Sequence, residues 1–500
     1  SWASSAELAQ LRGLLRACRR DRAGRTVLVR GEAGIGKSRL VRELCAGARG
    51  FRVHEALILD FGGGPASAVA ELASGLLDLS PKAPLEARVE AVERVIARGV
   101  VAPKLRLHLL DLAGAPLPPE LAALRAAMDE PTRVEGRGRA LAALLRAAAA
   151  ERPRLLLVED LHWADEATLA ELGALARVVP DCAALLLLTT RPEGDPLERA
   201  WRTLPAEAPL VVIGLGPLAA AEAERLAARL LVAEAGAARR CAVRSGGNPL
   251  FLEQLARAGL DRGEDALPST VQSLVLARVD RLGSRDRATL RAASVLGQRF
   301  SLEALRAVAD DPLADCTELV RRDLVRPHGT DFLFAHALIR ESVYASLLQE
   351  RRRELHRRSA EWYASRDPLL RAEHLVAAAD PEAAAALLAV ARAEAAGARL
   401  SATRDLLARA EPLAREPTLR AAIATELGRV LLELGAVEPA LAAFERALAA
   451  ADDPAGRARA RLGIAGCLRL VDRLEEALGL VDALEPEARA LGDGELLARV

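Results

Sequence analysis

The most specific chemical pattern in the chain lies at residues 31–38, which read Gly31-Glu32-Ala33-Gly34-Ile35-Gly36-Lys37-Ser38. They satisfy G-x-x-x-x-G-K-[ST], the Walker A pattern, and follow an apolar run. Glycines without Cβ atoms let backbone N–H groups curl around a phosphate. Lys37 adds a charge for the β- and γ-phosphates, Ser38 adds a hydroxyl for Mg²⁺, and the helix that starts here adds the positive end of its dipole. Because the chain holds only Lys37, Lys82 and Lys104, this pattern favours a phosphate-binding loop over an ordinary glycine turn.

Two carboxylates follow a second apolar run. Residues 155–158 read Leu-Leu-Leu-Val, typical of a strand buried on both faces of a parallel sheet, and Glu159 and Asp160 close it. At the carboxyl end of such a strand they could hold Mg²⁺, directly or through water, and orient the water that attacks the γ-phosphate. Alternatively, Asp160 only caps the turn that follows.

Arg191 ends a further apolar run, residues 184–188, after Thr189 and Thr190. Ligands of open α/β sheets bind beyond the carboxyl ends of the strands, so Arg191 could contact the γ-phosphate bidentately. A solvated surface arginine is the alternative. His162 and Trp163 are interpreted as packing and loop-shaping residues, because one histidine without neighbouring Cys or His is poor evidence for a metal site.

These residues require a parallel sheet to position them. Strands are predicted at 26–29, 53–59, 155–158, 184–188 and 210–213, with the second ending near Gly62-Gly63-Gly64-Pro65, and helices between them. An amphipathic helix over 4–20 precedes them. The pattern predicts an α/β P-loop NTPase domain of three layers.

The next segments are helical. Residues 217–258 form a helical stretch that Ser245-Gly246-Gly247-Asn248-Pro249 interrupts with a turn. Residues 267–348 combine helices with a β-wing at 324–334, which indicates a winged helix. Such a module can bind DNA or serve as a spacer between proteins, and the zero net charge favours the spacer.

Beyond residue 350 the pattern is purely helical, with a repeat of 37 residues that relates Thr403 to Ala440 and Ala477. Leu427-Gly428, Ala440 and Phe444 match a tetratricopeptide helix pair, in which small residues let helices approach and Phe444 fills the gap between units. A generic stack of helical hairpins is the alternative. Either solenoid predicts a groove for partners rather than a catalytic site.

The predicted layout is an N-terminal helix (1–24), the P-loop ATPase domain (25–215), a helical subdomain (216–265), a winged helix (266–350) and an all-α tetratricopeptide-like solenoid (351–500). Equal numbers of basic and acidic residues, 69 each, exclude a chain whose main task is to coat nucleic acid. Six widely spaced cysteines and no apolar run near the roughly 20 residues of a membrane helix predict a cytoplasmic protein without membrane contact. The first residue is not Met and the pattern at Val500 is helical, so a longer parent protein is expected.

The order of these motifs resembles the STAND ATPases, signal-transducing P-loop proteins of the AAA-like branch. The resemblance is carried by GEAGIGKSRLVREL (31–44), LLLVEDLHWADEATL (155–169), LLLLTTRPEGDPL (185–197), GGNPLFLEQL (246–255) and FLFAHALIRESVY (332–344). It implies a switch that is closed around ADP at rest, opens when an inducer binds the helical repeats, and forms a homo-oligomer with ATP. Relatives carry a class III adenylate or guanylate cyclase domain or a LuxR-type helix-turn-helix as output.

The resemblance also implies roles for single residues. Residues 31–38 with Arg39 correspond to the phosphate loop, Arg191 to a phosphate sensor, and Pro249 to the residue that abuts adenine. His336 is similar in context to a histidine that touches the β-phosphate, and a buried structural histidine is the alternative. The chain departs from the family pattern at Glu159, where many P-loop proteins have Asp, and at Ala3-Ser4-Ser5, where relatives have Gly-Arg-Glu.

Two functions follow as hypotheses. The first is a signalling switch with slow ATPase activity, in which Lys37, Glu159 and Asp160 are catalytic and Ser38 and Glu159 hold Mg²⁺. The second is a scaffold that binds nucleotide without hydrolysing it, which Glu159 favours.

Overall fold

The computed structural model describes residues 5–58, 68–80, 83–198, 201, 208–230, 235–258, 270–397 and 399–491. Ala3, Ser4 and the predicted strand end at 59–65 lie outside these ranges. The chain divides into two compact units, one formed by Ser1–Leu121 with Pro131–Leu348 and the other by Ala122–Glu130 with Gln349–Val500. The bounds of the five domains given above stay predictions.

The first unit contains a five-stranded parallel sheet in the order β2-β3-β4-β1-β5. Its strands are β1 (Arg25–Arg30), β2 (Arg52–Leu57), β3 (Arg154–Glu159), β4 (Ala184–Thr190) and β5 (Leu210–Gly214). Strand β4 lies between β1 and β3, with Arg30 opposite Thr190 and Val158 opposite Leu188. The phosphate loop, the acidic pair and Arg191 therefore leave the sheet at the same edge.

Helices cover both faces of this sheet. They are α1 (Ser5–Asp21), α2 (Lys37–Gly47), α3 (Ala68–Leu76), α4 (Leu85–Ala97), α5 (Arg106–Leu112), α7 (Glu130–Glu151) and α8 (Glu166–Val178), and α6 (Pro119–Ala127) follows α5 in the chain. Alternate strand residues point to opposite faces, so Leu156 and Leu186 pack with α3, α7 and α8, while Leu155 and Leu185 pack with α1 and α2. The predicted three-layer α/β fold is confirmed.

The rest of the first unit is mainly helical, with a small antiparallel sheet in the order β6-β8-β7. Its elements are α9 (Ala220–Leu230), α10 (Ala235–Arg244), α11 (Pro249–Ala258), α12 (Val271–Asp280), α13 (Ser284–Leu296), β6 (Arg299–Ser301), α14 (Leu302–Ala309), α15 (Thr317–Arg321), β7 (Val325–His328), β8 (Asp331–Phe334) and α16 (Ala337–Ala345). The hairpin β7–β8 turns at Gly329, whose φ is 60°. Strand β6 was not predicted, because three residues are too few to show an alternating pattern.

The described residues of the second unit are helical apart from turns. The unit contains α17 (Gln349–Tyr363), α18 (Pro368–Ala377), α19 (Ala383–Ala396), α20 (Leu400–Ala410), α21 (Pro417–Glu433), α22 (Val437–Ala450), α23 (Pro454–Leu470) and α24 (Leu474–Leu491). Helices α21 and α23 begin 37 residues apart, as do α22 and α24. A Cβ atom added at Gly428 or Gly463 would lie 2.9 or 2.3 Å from the Phe444 ring, so small residues on both neighbouring helices make room for it. The predicted helical-repeat region is confirmed.

No helix within the described ranges is long and apolar enough to cross a membrane. All six cysteines are free thiols, and five of them are buried.

Candidate functional site

The phosphate loop connects β1 to α2. Gly34 and Gly36 have φ angles of 77° and 107°, a left-handed backbone that glycine adopts without steric cost. The N–H of Gly31 donates to the Thr190 carbonyl at 3.3 Å, which ties the loop to the end of β4. A Cβ atom at Gly31 would stand 2.8 Å from Cγ2 of Ile35. The loop therefore has the curled backbone that the pattern predicts.

Lys37 is only 8% exposed, and its ammonium binds the loop itself. Nζ donates to the carbonyl oxygens of Gly31 at 2.6 Å and Glu32 at 2.9 Å. The pKa of Lys37 is lowered to about 8, mainly by burial; Asp160 opposes this lowering and the charge of Arg191 adds to it. Phosphate oxygens can replace the two carbonyls as acceptors because they carry full negative charge.

Ser38 and Glu159, the two predicted metal ligands, are in contact. The Ser38 hydroxyl donates to Oε2 of Glu159 at 2.5 Å. A hydroxyl and a carboxylate oxygen at one point are the hard oxygen ligands that Mg²⁺ takes, so the residues fit the ion. Among the described residues no group of three or more His, Cys, Asp and Glu side chains could hold a metal. A Mg²⁺ ion here would thus depend on phosphate and water for its other ligands.

Asp160 follows Glu159 with a left-handed backbone, at a φ of 61°. Its N–H donates to Oγ1 of Thr189 on β4 at 3.1 Å. This hydrogen bond fixes the carboxyl end of β3 to that of β4. Asp160 is thereby held at the same edge of the sheet as the phosphate loop.

Arg191 leaves β4 at this edge and forms an ion pair with Glu341 on α16, with Nη2 3.0 Å from Oε1. The loop that carries it is anchored by Asp195, which is fully buried and has Oδ2 3.3 Å from Nε of Arg30. Because its charge acts on Lys37, Arg191 lies within electrostatic range of the phosphate loop.

The turn before α11 docks onto the phosphate loop. The N–H of Leu250 donates to the Gly34 carbonyl at 3.3 Å, and a Cβ atom at Gly34 would stand 2.9 Å from Cβ of Leu250. Cγ of Pro249 lies 3.8 Å from the Cβ position of Gly36. Oδ1 of Asn248 accepts the Phe251 N–H at 3.1 Å and so caps α11. The structure therefore brings Pro249 beside the loop, although the two are over 200 residues apart in sequence.

His336 immediately precedes α16, and its Nε2 lies 3.9 Å from Oε2 of Glu253 on α11. Burial lowers the pKa of His336, and Glu253 acts against that lowering. The charge of Arg42 on α2 also lowers it, so His336 stands within electrostatic range of the phosphate-loop helix. Its partner in the structure is a carboxylate.

His162 lies in the short 3-10 helix Leu161–Trp163 that follows Asp160. Within the described part of the chain neither ring nitrogen finds a hydrogen-bond partner. Burial lowers the pKa of His162 to about 4, and the charges of Arg191 and Lys37 contribute. The ring contacts Trp163 at a centroid distance of 5.1 Å, and Trp163 itself is 46% exposed.

One predicted site residue, Arg39, has its side chain paired within its own helix. Arg39 pairs with Glu43 along α2, with Nε 3.0 Å from Oε1, and its N–H donates to the Gly36 carbonyl at 3.1 Å. Ala3 and Ser4 lie outside the described residues. The sequence analysis missed Glu341, Glu253 and Leu250, because no local pattern pairs them with residues so distant in the chain.

The comparisons with known proteins agree with this geometry. Residues 3–188 match the family model described as "AAA ATPase domain". An uncharacterized protein of Rhizobium meliloti (strain 1021) is 30% identical over 373 residues, which cover 67% of this chain and 34% of that protein. The chain thus spans about a third of the length of this curated relative.

Two solved structures are similar to the chain. A Signal Transduction ATPase with Numerous Domains (STAND) with a tetratricopeptide repeat sensor, from Pyrococcus horikoshii, aligns over 97% of this chain and 77% of that one, at 15% identity and a TM-score of 0.48. Cdc6p from Pyrobaculum aerophilum aligns over 69% of this chain and 95% of that one, at 13% identity and a TM-score of 0.32.

Residues 3–188 of the chain therefore match an AAA ATPase domain that carries the phosphate loop, and a mainly helical region follows this domain. The match over these residues confirms the predicted P-loop domain of the AAA-like branch.

Proposed function

We propose that the chain is a signal-transduction switch, in which the ATP or ADP state of the phosphate loop is coupled to a partner on the helical repeats. The observation that carries this proposal is the docking of the turn at 245–250 onto the loop, through the hydrogen bond from Leu250 to Gly34. A nucleotide that enters the loop meets this turn, so its binding changes the position of a segment outside the sheet.

The residues at the sheet edge have distinct tasks in ATP binding. Lys37 exchanges the carbonyls of Gly31 and Glu32 for phosphate oxygens. Ser38 and Glu159 hold Mg²⁺, which neutralises phosphate charge when bound. Asp160 orients the attacking water, and Arg191 senses the γ-phosphate. Pro249 lies against the nucleotide, and His336 reports on it from the start of α16.

The helical repeats and the helices around β6–β8 take part in the same exchange between the ADP state and the ATP state. The helical repeats offer a groove for an inducer or a protein partner, as stacked helix pairs do. The helices around β6–β8 form a winged helix that serves as a spacer. ATP favours a homo-oligomer, and the output, a cyclase domain or a helix-turn-helix regulator of transcription, belongs to other parts of the protein.

Replacement of Lys37 by Ala tests the site. It removes charge-assisted hydrogen bonds worth about 1.5–3 kcal/mol, so ATP affinity falls by about one to two decades in isothermal calorimetry. Lys104→Ala is the matched control, because Lys104 is an exposed lysine in the 3-10 helix Pro103–Leu105 and should leave affinity unchanged. Unchanged ATP binding by Lys37→Ala would overturn the assignment of the site.

The second candidate function is a scaffold that holds nucleotide without turnover. The contact between Glu159 and Ser38 favours it, because the longer glutamate already reaches the hydroxyl and so leaves a water-mediated metal contact. A single-turnover assay separates the two functions. The switch predicts slow phosphate release that Asp160→Asn reduces by about a hundredfold, within the range of positioned acid–base groups. Absence of release from the unmodified chain supports the scaffold.

A further inference from the structure

Arg191 is held by a carboxylate from a distant element. Its Nη2 lies 3.0 Å from Oε1 of Glu341, 150 residues further along the chain. The side chains are 17% and 39% exposed, so water screens this pair less than most surface pairs. Glu341 lies on α16, the helix that begins next to His336.

The position of Arg191 gives this pair a meaning for nucleotide recognition. Arg191 directly follows Thr190, whose carbonyl accepts the N–H of Gly31 at 3.3 Å, so Arg191 leaves the sheet beside the phosphate loop. Its charge acts on both Lys37 and His162. A guanidinium binds carboxylates and phosphates with the same planar fork of N–H donors. Glu341 therefore binds the Arg191 guanidinium that a γ-phosphate would otherwise bind.

The pair is not required to hold α16 in place. Ile339 and Val343 of this helix are fully buried, and Nε of Arg340 donates to the Ser294 carbonyl at 3.1 Å. Buried aliphatic side chains supply most of the packing energy of such a helix. Loss of the carboxylate charge should therefore leave the fold intact.

We propose that Glu341 is a positioning residue that sets the preference between ATP and ADP by competing with the γ-phosphate for Arg191. With ADP, Arg191 stays with Glu341 and α16 stays docked. With ATP, the γ-phosphate takes Arg191, so part of the binding energy is spent on breaking the ion pair, and α16 loses this one restraint while its buried side chains keep it folded. This inference rests on the proposed function and adds to it the residue that opposes the γ-phosphate.

The test is calorimetric titration of Mg-ATP and Mg-ADP into the full chain and into Glu341→Gln, which keeps the shape but removes the charge. We expect ATP affinity to rise about threefold to tenfold while ADP affinity stays the same, as loss of a half-buried ion pair allows. Glu341→Asp should restore the ratio towards its original value. Glu303→Gln, exposed on α14, is the matched control.

Further results distinguish the role of Glu341 from a general effect on nucleotide binding. In an Arg191→Ala background, Glu341→Gln should have no additional effect, since Glu341 acts through Arg191. Equal changes for ATP and ADP, or no change for either, overturn the inference even when thermal unfolding shows an intact fold. Loss of ATP binding in Lys37→Ala together with an unchanged ratio in Glu341→Gln would overturn this inference alone and leave the proposed function standing.

Discussion

The sheet edge and the helical repeats use glycine for opposite purposes. In the phosphate loop, Gly34 and Gly36 have positive φ angles, so the requirement lies in the backbone. In the repeats, Gly428 and Gly463 lie inside α21 and α23, and the requirement is space for the Phe444 ring. One residue type thus permits a left-handed loop backbone in one unit and close helix packing in the other.

The arrangement of charged side chains also differs between the sheet edge and the helical repeats. At the sheet edge Arg191 pairs with Glu341, and the charges of Arg191 and Glu159 both act on Lys37. In the repeats, ion pairs such as that of Arg446 with Glu411, at 2.8 Å, join neighbouring elements near the surface. Substitutions in the repeats should therefore alter stability, and those at the edge should alter nucleotide binding.

The largest expected effect is a loss of folding stability in the helical repeats. Phe444→Ala should destabilise the helical region by about 3–5 kcal/mol, because it deletes a buried ring between two glycine-bearing helices. Thermal unfolding followed by circular dichroism measures this, and ATP affinity below the transition should stay unchanged. Phe444→Leu, which keeps most of the volume, should cost less. A normal transition for Phe444→Ala would show that the ring does not hold the repeats together.

The counterpart at the sheet edge is Gly34→Ala. A Cβ there meets a left-handed backbone and stands 2.9 Å from Cβ of Leu250, so the loop and the docked turn must shift. Such strain costs about 1–3 kcal/mol, and ATP affinity in calorimetry should fall accordingly. Gly463→Ala is the matched change in the repeats, and it should lower the unfolding temperature without affecting ATP. The comparison between the two regions fails if the effects are exchanged.

A smaller effect should appear with pH. The pKa of Lys37 in the nucleotide-free chain is lowered to about 8 by burial, and bound phosphate raises it by adding negative charge. ATP affinity should therefore be constant below pH 8 and fall above it, by up to about tenfold per pH unit. The folding stability contributed by Lys37 changes with pH in the opposite direction. Above pH 8 the folded chain releases a proton that the lysine of the unfolded chain still holds. The nucleotide-free fold therefore becomes more stable as the pH rises.

Calorimetry between pH 7 and 9.5 measures this dependence, and Lys37→Ala should lack it. A parallel fall in affinity in that variant would assign the pH effect to another group.

Local patterns were sufficient to predict much of the architecture. Apolar runs such as residues 155–158 marked the five strands, and the Walker A pattern marked the loop, because both signals lie within a few consecutive residues. The 37-residue period marked the repeats because residues of similar size recur at equivalent positions, such as Ala440 and Ala477. The short strand β6 escaped, since Arg299–Ser301 has no period to detect.

The contacts between distant residues of the site could not be predicted from local patterns. The order of the parallel strands cannot be deduced from runs that look alike, and the pairing of Arg191 with Glu341 or of Gly34 with Leu250 depends on the tertiary fold. The roles proposed for Pro249 and His336 came from resemblance, and the structure adds only their neighbours. Partners that are distant in sequence can therefore be identified only from the tertiary structure.

The coupling of the loop to α16 is tested most directly by amide hydrogen exchange of the full chain with Mg-ATP and with Mg-ADP. The account predicts that ATP speeds exchange in α16 relative to ADP, while α8, which packs on the sheet, exchanges equally in both states. The same comparison in Lys37→Ala should show no difference at nucleotide concentrations that saturate only the unmodified chain. Identical exchange of α16 with ATP and ADP in the unmodified chain would contradict the account.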